Sequence, residues 1–419
     1  MQVVVLCGGF GTRLSTIVKD VPKPMAPIKN SPFLLYLYRY LKNNGYTNFL
    51  FLTGYRSEVI EEFFAGYEDV SFLRETQPLG TGGALLNAYN KRLLDETFLL
   101  VNGDTFFNTD LLLLMSYHKA NSITIGLRFT SDVSRYGCVL IDENDVLPFN
   151  SNLETINEMT FRNYLFNDNS SFLVHRFIEK GNLPSSQIDG YINSGSYIIS
   201  SSVLDIFAKD YNNTLISLEN EMLPLLINEK KVYSLPLGGD FIDIGIPDDY
   251  FKAQEFIPNS VSSKTQPAIF IDKDGTLIKD YGYAHGKTIE PNMNILRFLK
   301  EFNKNKEYLL VIVTNQAGVA KNKFTEVDMN DNIESILEFY KKNGIEFADV
   351  EYCTYCLDAT LDEYKYKSLC RKPSPGMILK ASEKFNIDLK NSLMIGDNEK
   401  TDVIKLPYVK SLIIDKSES

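Results

Sequence analysis

Val3-Val4-Val5-Leu6-Cys7-Gly8-Gly9-Phe10-Gly11-Thr12-Arg13-Leu14 opens the chain behind only Met1 and Gln2. The unbroken apolar run Val3–Cys7 reads as a strand buried on both faces, as strands of parallel sheets are. It leads directly into glycines, which let backbone N–H groups approach phosphate oxygens, and Arg13 adds a planar fixed cation. The same alternation recurs outward from this stretch. Strand candidates at 48–53, 97–102 and 122–129 alternate with helix candidates at 33–43, 58–64 and 83–94, the pattern of an α/β fold. No basic segment precedes the first apolar run, so the start reads as a strand and not as a signal peptide.

Residues 149–171 are rich in Asn, Ser and Asp and read as an insertion or long loop. A second interruption runs from Ile257 to Pro267, where prolines bracket small polar residues in the manner of an interdomain linker. Beyond it the strand Ala268–Ile271 begins a second α/β series with 295–302, 309–314 and 393–396. The expected division is therefore a domain over 1–256, a linker over 257–267 and a domain over 268–419. The chain has 419 residues, with 43 Lys and Arg against 54 Asp and Glu and a net charge of −11, which disfavours a nucleic-acid partner. No apolar run reaches the roughly 18 residues of a membrane span. Five cysteines are too few for a disulfide framework, so the expected location is the reducing cytoplasm. Asn102-Gly103-Asp104 closes a strand and puts the Asp104 carboxylate at the carboxyl end of the sheet, where open α/β sheets bind ligands. Phe241-Ile242-Asp243-Ile244-Gly245 supplies another carboxylate in an apolar setting, and hard oxygen donors of this kind suit Mg²⁺.

Gly8-Gly9-Phe10-Gly11-Thr12-Arg13-Leu14 followed by Pro22-Lys23-Pro24-Met25-Ala26-Pro27-Ile28 resembles the sugar-1-phosphate nucleotidyltransferase family, which implies a Rossmann-like, GT-A-like domain. The resemblance implies that Gly8, Gly9, Gly11 and Thr12 cradle a nucleotide, and that Arg13 and Lys23 meet its triphosphate and leaving group. By the same resemblance, Gln77 and Gly82 in Gln77-Pro78-Leu79-Gly80-Thr81-Gly82-Gly83-Ala84 belong to a nucleobase loop. Asp104 and Asp243 would hold Mg²⁺. Arg135-Tyr136-Gly137, Phe177-Ile178-Glu179-Lys180 and Ile192-Asn193-Ser194-Gly195 match segments that grip a sugar phosphate, which brings in Gly137, Glu179, Lys180 and Asn193. Gly181 stands where the family has Pro, and Ser194 where it has Gly. The stretch Val18–Pro27 most resembles the D-glycero-D-manno-heptose 1-phosphate guanylyltransferases, which implies GTP and heptose 1-phosphate as substrates.

Asp272-Lys273-Asp274-Gly275-Thr276-Leu277 follows the strand Ala268–Ile271 and resembles the haloacid dehalogenase superfamily. Alone, such a stretch fits a calcium-type loop or a plain turn equally well. The resemblance makes Asp272 the nucleophile and Asp274 the acid and base. Thr314 and Asn315 would meet phosphoryl oxygens, Arg371 and Lys372 would neutralise them, and Asp397 would complete a Mg²⁺ site with Asp272 and the Asp274 carbonyl, with Asp402 at the superfamily's spacing for a further acidic residue. The spacing leaves no room for a large cap, so a Rossmannoid domain without one is expected. Asp280-Tyr281-Gly282-Tyr283-Ala284-His285 and Arg371–Met377 resemble heptose 1,7-bisphosphate phosphatases, with histidinol phosphatases as near relatives. Their zinc loop aligns with Cys353, Tyr355, Ser368 and Cys370, so two ligands are replaced. A Zn²⁺ site built from Cys353, Cys356, Cys370 and a fourth group such as Asp358 stands against a metal-free loop. The combined expectation is a bifunctional enzyme taking small-molecule substrates, with no nucleic-acid or membrane partner and the oligomeric state open. The alternatives are the same chemistries on another sugar phosphate or nucleotide, and a regulatory binding protein.

Overall fold

The N-terminal apolar run forms the central strand β1 (Gln2–Cys7) of a large sheet in a computed structural model. The structure describes the chain except residues 12, 15–16, 134–137, 143–170, 179–187, 210, 213, 263–264, 283–288 and 415–419. The inferred insertion at 149–171 lies almost wholly outside the described residues. With β1 run β2 (Phe49–Thr53), β3 (Val70–Arg74), β4 (Thr97–Asn102), β5 (Ile123–Thr130), β6 (Cys138–Ile141), β7 (Phe172–Ile178), β8 (Gly190–Ser200) and β9 (Val232–Leu237). Their order is β3-β2-β1-β4-β8-β5-β9-β7-β6. The first four are parallel, and β8 joins β4 antiparallel. The chain leaves β1 toward β2 on one side and reaches β4 on the other, so the glycine loop sits at a topological switch point. Gly103 donates its N–H to the Leu6 carbonyl at 2.9 Å and draws the Asp104 turn against that loop. A two-stranded ribbon of Thr105–Asn108 and Asp240–Asp243 brings Asp243 opposite Thr105.

The second unit is a five-stranded parallel sheet of β10 (Ala268–Ile271), β11 (Leu309–Asn315), β12 (Asp349–Cys353), β13 (Leu393–Gly396) and β14 (Lys410–Ile413), in the order β12-β11-β10-β13-β14. Here too the central strand ends at a switch point. The strands alternate between two cores. Ile269, Ile271, Leu310, Ile312, Leu393 and Ile395 pack in one core with α1 (Met293–Phe302) and α2 (Glu326–Lys342). Ala268, Phe270, Val311, Val313 and Met394 join the core of the N-terminal unit, together with α3 (Gly376–Phe385). A Cβ on Gly238 would stand 2.2 Å from Ser382 Oγ of α3, so glycine is what admits the helix there. Glu383 of α3 pairs with Arg128 at 2.7 Å. Tyr408, buried, donates its hydroxyl to the Pro236 carbonyl and packs edge-on against Tyr117 at 6.4 Å.

Two sequence expectations shift. The helix expected at 83–94 begins at Gly80 and ends at Asn90, because Gly82 and Gly83 donate their N–H groups to the Ile216 carbonyl instead of standing free in a loop. The linker over 257–267 is not an extended spacer: a helix covers Pro247–Ser262 and carries Pro258 within it. Ile257 is buried in the core there, and that packing offsets the hydrogen bond that proline forfeits.

Because the core is shared, the two units are expected to melt together. Tyr408→Ala should lower stability by about 3–5 kcal/mol while keeping one calorimetric transition. Two resolved transitions, with one activity outlasting the other, would contradict the shared core.

Two candidate active sites

A cleft of about 440 Å³ lies beyond the end of β1, lined by Gly8, Gly9, Gly11, Arg13, Lys23, Glu75, Asn102, Asp104 and Gly245 among others. Gly11 has φ +60°, and a Cβ there would stand 2.8 Å from Lys23 Cβ, so the turn that seats Lys23 requires glycine. Lys23 donates to Asp104 Oδ2 at 2.5 Å and to Asp243 Oδ1 at 3.3 Å. A Cβ on Gly245 would lie 2.9 Å from Asp243 Oδ1, 3.2 Å from Lys23 Nζ and 3.4 Å from Arg13 Nη2, so the two cations and this carboxylate converge on one point. Burial and the neighbouring Asp104 raise the Asp243 pKa against the pull of Lys23. Two carboxylates beside a phosphate-sized cleft fit Mg²⁺, which commonly takes one or two protein carboxylates and completes its shell with phosphate and water.

Several expected contacts fall elsewhere. Gln77 is exposed and does not line the cleft, whereas Glu75 does. The Glu75 carboxylate accepts the Leu79 N–H at 3.2 Å, and burial raises its pKa. Gly82 faces inward, where a Cβ would stand 2.5 Å from Met222 Sδ. Asn193 is satisfied within its own strand: Nδ2 donates to Tyr197 Oη at 2.6 Å, and Oδ1 accepts the Gly195 N–H at 3.0 Å. Thr12, Gly137, Glu179 and Lys180 lie outside the described residues.

In the second unit, Asp272 follows β10, Thr314 and Asn315 end β11, and Asp397 follows β13, so the side chains gather at one edge of the parallel sheet. Lys372 donates to Asp272 Oδ1 and to Asp402 Oδ1, each at 2.6 Å, with a side chain only 3% exposed. Burial pushes the Asp272 carboxyl up to about 7, while Lys372 pulls it down. Lys372 holds its proton more tightly than usual, since Asp272 and Asp402 outweigh the cost of its burial. Asn315 pairs with the Lys372 main chain, donating Nδ2 to its carbonyl at 3.0 Å and accepting its N–H at 2.9 Å. The Asp274 carboxylate receives Lys273 Nζ on one oxygen and Gln316 Nε2 at 2.8 Å on the other. Gln316 also donates to Thr314 Oγ1 at 2.9 Å, and Lys273 reaches Asn332 of α2 at 3.0 Å.

Among the described residues, one set of three or more candidate ligands converges: Asp272, Asp397 and Asp402, whose oxygens lie within 4.8 Å of one another. An all-carboxylate set suits Mg²⁺. Its third side chain is Asp402, while the Asp274 carboxylate is tied to Lys273 and Gln316, which leaves only the Asp274 carbonyl for the metal. A Cβ on Gly275 would stand 2.5 Å from Asp397 Oδ2, so the glycine, at φ +83°, makes room for that carboxylate. Cys353, Cys356 and Cys370 form no such set. The Cys353 thiol donates to the Tyr355 carbonyl at 3.8 Å, Cys356 faces Asp358, and Cys370 faces Asp189. Asp358, the suggested fourth ligand, is paired with Lys321 at 2.7 Å. Cys353 and Cys370 share Ser368 and Asp189 as neighbours while Cys356 stands with Asp358, so the three thiols do not gather on one point.

Each sheet thus presents an acidic, lysine-bridged site at its switch point, the arrangement of an enzyme with one centre for nucleotidyl transfer and another for phosphoryl transfer. Residues 2–260 match the family described as Nucleotidyl transferase, and the chain belongs to that family. Residues 268–408 match the family described as Polynucleotide kinase 3 phosphatase, so a phosphatase of haloacid dehalogenase type forms the second unit. The D-glycero-alpha-D-manno-heptose 1-phosphate guanylyltransferase of Aneurinibacillus thermoaerophilus is 35% identical over 261 residues, covering 61% of this chain and 97% of that protein. The protein of the same description from Campylobacter jejuni is 34% identical over 255 residues, covering 60% and 97%. A crystal structure of HddC from Yersinia pseudotuberculosis is 32% identical, covers 61% of this chain and 98% of that one, and superposes with a TM-score of 0.46.

Lys372→Ala would leave Asp272 and Asp402 facing each other without their cation. It should cut phosphate release by at least about 100-fold and destabilise the chain by roughly 3–5 kcal/mol in urea titrations. An active, equally stable variant would remove Lys372 from the site.

Proposed function

We propose that the C-terminal unit removes the 7-phosphate of D-glycero-D-manno-heptose 1,7-bisphosphate and that the N-terminal unit transfers GMP from GTP to the resulting heptose 1-phosphate. The products are GDP-D-glycero-α-D-manno-heptose and pyrophosphate. The observation that carries this reading is the pairing, in one chain, of both lysine-bridged sites with a nucleotidyltransferase unit related along nearly its whole length to heptose 1-phosphate guanylyltransferases. No helix among the described residues is long and apolar enough to cross a membrane.

In the first reaction, an Asp272 oxygen attacks phosphorus and the bond from phosphorus to O7 breaks. Asp274 gives a proton to the departing oxygen, then takes one from the water that cleaves the aspartyl-phosphate. Lys372 balances charge on the transferring group while Asn315 holds the Lys372 backbone. In the second, a phosphate oxygen of heptose 1-phosphate attacks the α-phosphorus of GTP and pyrophosphate leaves. Arg13 and Lys23 take the charge of the triphosphate. Mg²⁺ held by Asp104 and Asp243, and by Asp272, Asp397 and Asp402, would supply further charge neutralisation at phosphate oxygens. Glu75 is the base-reading residue we favour over Gln77. A cleft-lining carboxylate accepts from both donors, N1–H and the 2-amino group, on the guanine edge, and adenine lacks that pair.

Asp272→Asn should abolish phosphate release and leave pyrophosphate release from heptose 1-phosphate and GTP within about 2-fold, while Asp104→Asn does the reverse. The two products are followed separately; a joint loss would refute independent chemical sites. Glu75→Gln should lower kcat/KM for GTP by about 10–100-fold, the scale of one lost charged hydrogen bond, with a smaller change for ATP. An unchanged preference for GTP would take Glu75 out of base recognition.

A further inference from the structure

Asp189, at the foot of β8 in the N-terminal unit, is 4% exposed and directs its whole carboxylate into the C-terminal unit. One oxygen accepts the Ser368 hydroxyl and the other accepts the Leu369 N–H at 2.7 Å, while the Cys370 N–H and thiol also point at the carboxylate. Ser368 Oγ in turn accepts the Cys370 N–H at 3.0 Å. The turn so gathered is closed by the Arg371 N–H on the Ser368 carbonyl at 3.2 Å and the Gly376 N–H on the Leu369 carbonyl at 2.7 Å. A Cβ on Gly376 would stand 2.6 Å from Leu369 C and O, so the turn has no slack on that side. The next residues are Arg371 and Lys372, whose ammonium bridges Asp272 and Asp402. Beside Asp189 the seam between the units leaves a gap of about 220 Å³, lined by Ile141, Tyr191, Lys367 and Leu369 among others.

We propose that Asp189 is a positioning residue of the phosphatase, supplied by the other catalytic unit: it organises the 368–370 turn and thereby fixes Lys372 over the nucleophile. Backbone N–H groups converging on one point need an anion or acceptor. The anion that meets them, Asp189, comes from the N-terminal unit. The turn coincides with half of the stretch whose thiols fail to assemble a metal site, so a carboxylate from across the seam does the fastening there. Without it, buried donors are left unsatisfied and the turn relaxes toward the gap. The effect falls on the placement of Lys372 and not on the binding of substrate.

The test uses the full-length chain with p-nitrophenyl phosphate, which needs no sugar recognition and therefore separates this proposal from the heptose assignment. Asp189→Ala should lower phosphatase kcat by about 10–100-fold, the scale of a misplaced catalytic group, with KM within about 3-fold and pyrophosphate release in the guanylyltransferase assay within about 3-fold. Asp189→Asn, which keeps an acceptor for the Leu369 N–H, should recover kcat to within about 5-fold of the parent. Ser368→Ala leaves β8 untouched, guards against misfolding of the first variant, and should lower kcat by about 3–10-fold. Parent-like kcat in Asp189→Ala or Ser368→Ala would overturn the proposal. So would loss of both activities in step with the folded fraction, which marks a merely structural role.

Discussion

Two carboxylates a few ångströms apart repel by about 4 kcal/mol at the effective dielectric of a protein surface, and more where water is excluded. In both units a single lysine ammonium offsets that repulsion. Lys23 lies between Asp104 and Asp243, and Lys372 between Asp272 and Asp402. The parallel sheets deliver the carboxylates to the ends of their strands, and the lysines arrive on loops that must be held against those ends. Much of the surrounding structure serves that requirement. Gly11 lets the first loop close on Lys23, and Asn315 grips the main chain of Lys372 from both sides.

The two bridges differ in a way that matters for chemistry. Asp104 and Asp243 are about one-third exposed at 33% and 36%, whereas the Lys372 partners are 12% and 0% exposed. Water screens the first set, so exchanging a carboxylate for a triphosphate oxygen costs Lys23 little. Lys372 has no such freedom, because leaving Asp402 would strand a buried anion. The first lysine suits a site that must admit and release a highly charged nucleotide. The second suits a site where one phosphoryl group passes in line between two fixed oxygens. The net charge of −11 is compatible with anionic substrates on these terms, since the local charge at each site is set by the bridging cation and the metal the carboxylates can hold.

What the sequence disclosed was local. A glycine loop after an apolar strand, a carboxylate at a strand end and the Asp272-Lys273-Asp274 step each lie within a few residues, so periodicity and spacing expose them. Asp402 lies only five positions beyond Asp397, but its bond to Lys372 depends on how β13 and its following turn pack. Glu75 and Gln77 are two residues apart, and only the packing around Leu79 decides which faces the cleft. Gly82 reads as a phosphate-type glycine, yet its missing side chain is occupied by Met222, 140 positions away. Asp189 carries no motif at all, and its partners lie about 180 residues further along the chain. The helix through Pro258 was hidden because a proline read alone marks a break, whereas the apolar face that Ile257 buries outweighs it.

A flexible tether between two enzymes would raise the local concentration of each product without fixing any orientation. This chain does more than tether. The helix over Pro247–Ser262 takes up most of the connecting segment, and one face of the second sheet completes the core of the first unit. Separating the units would expose α3, the Phe270 face and Tyr408 to water, and would uncover Arg128 opposite Glu383. At roughly 1.5–3 kcal/mol per buried apolar side chain, several such residues together reach the scale of the roughly 5–15 kcal/mol by which domains are typically stable. Neither sheet is therefore complete alone. Asp189, which fastens the phosphatase turn, immediately precedes β8 of the first sheet, so the geometry of one site is written partly into the backbone of the other unit.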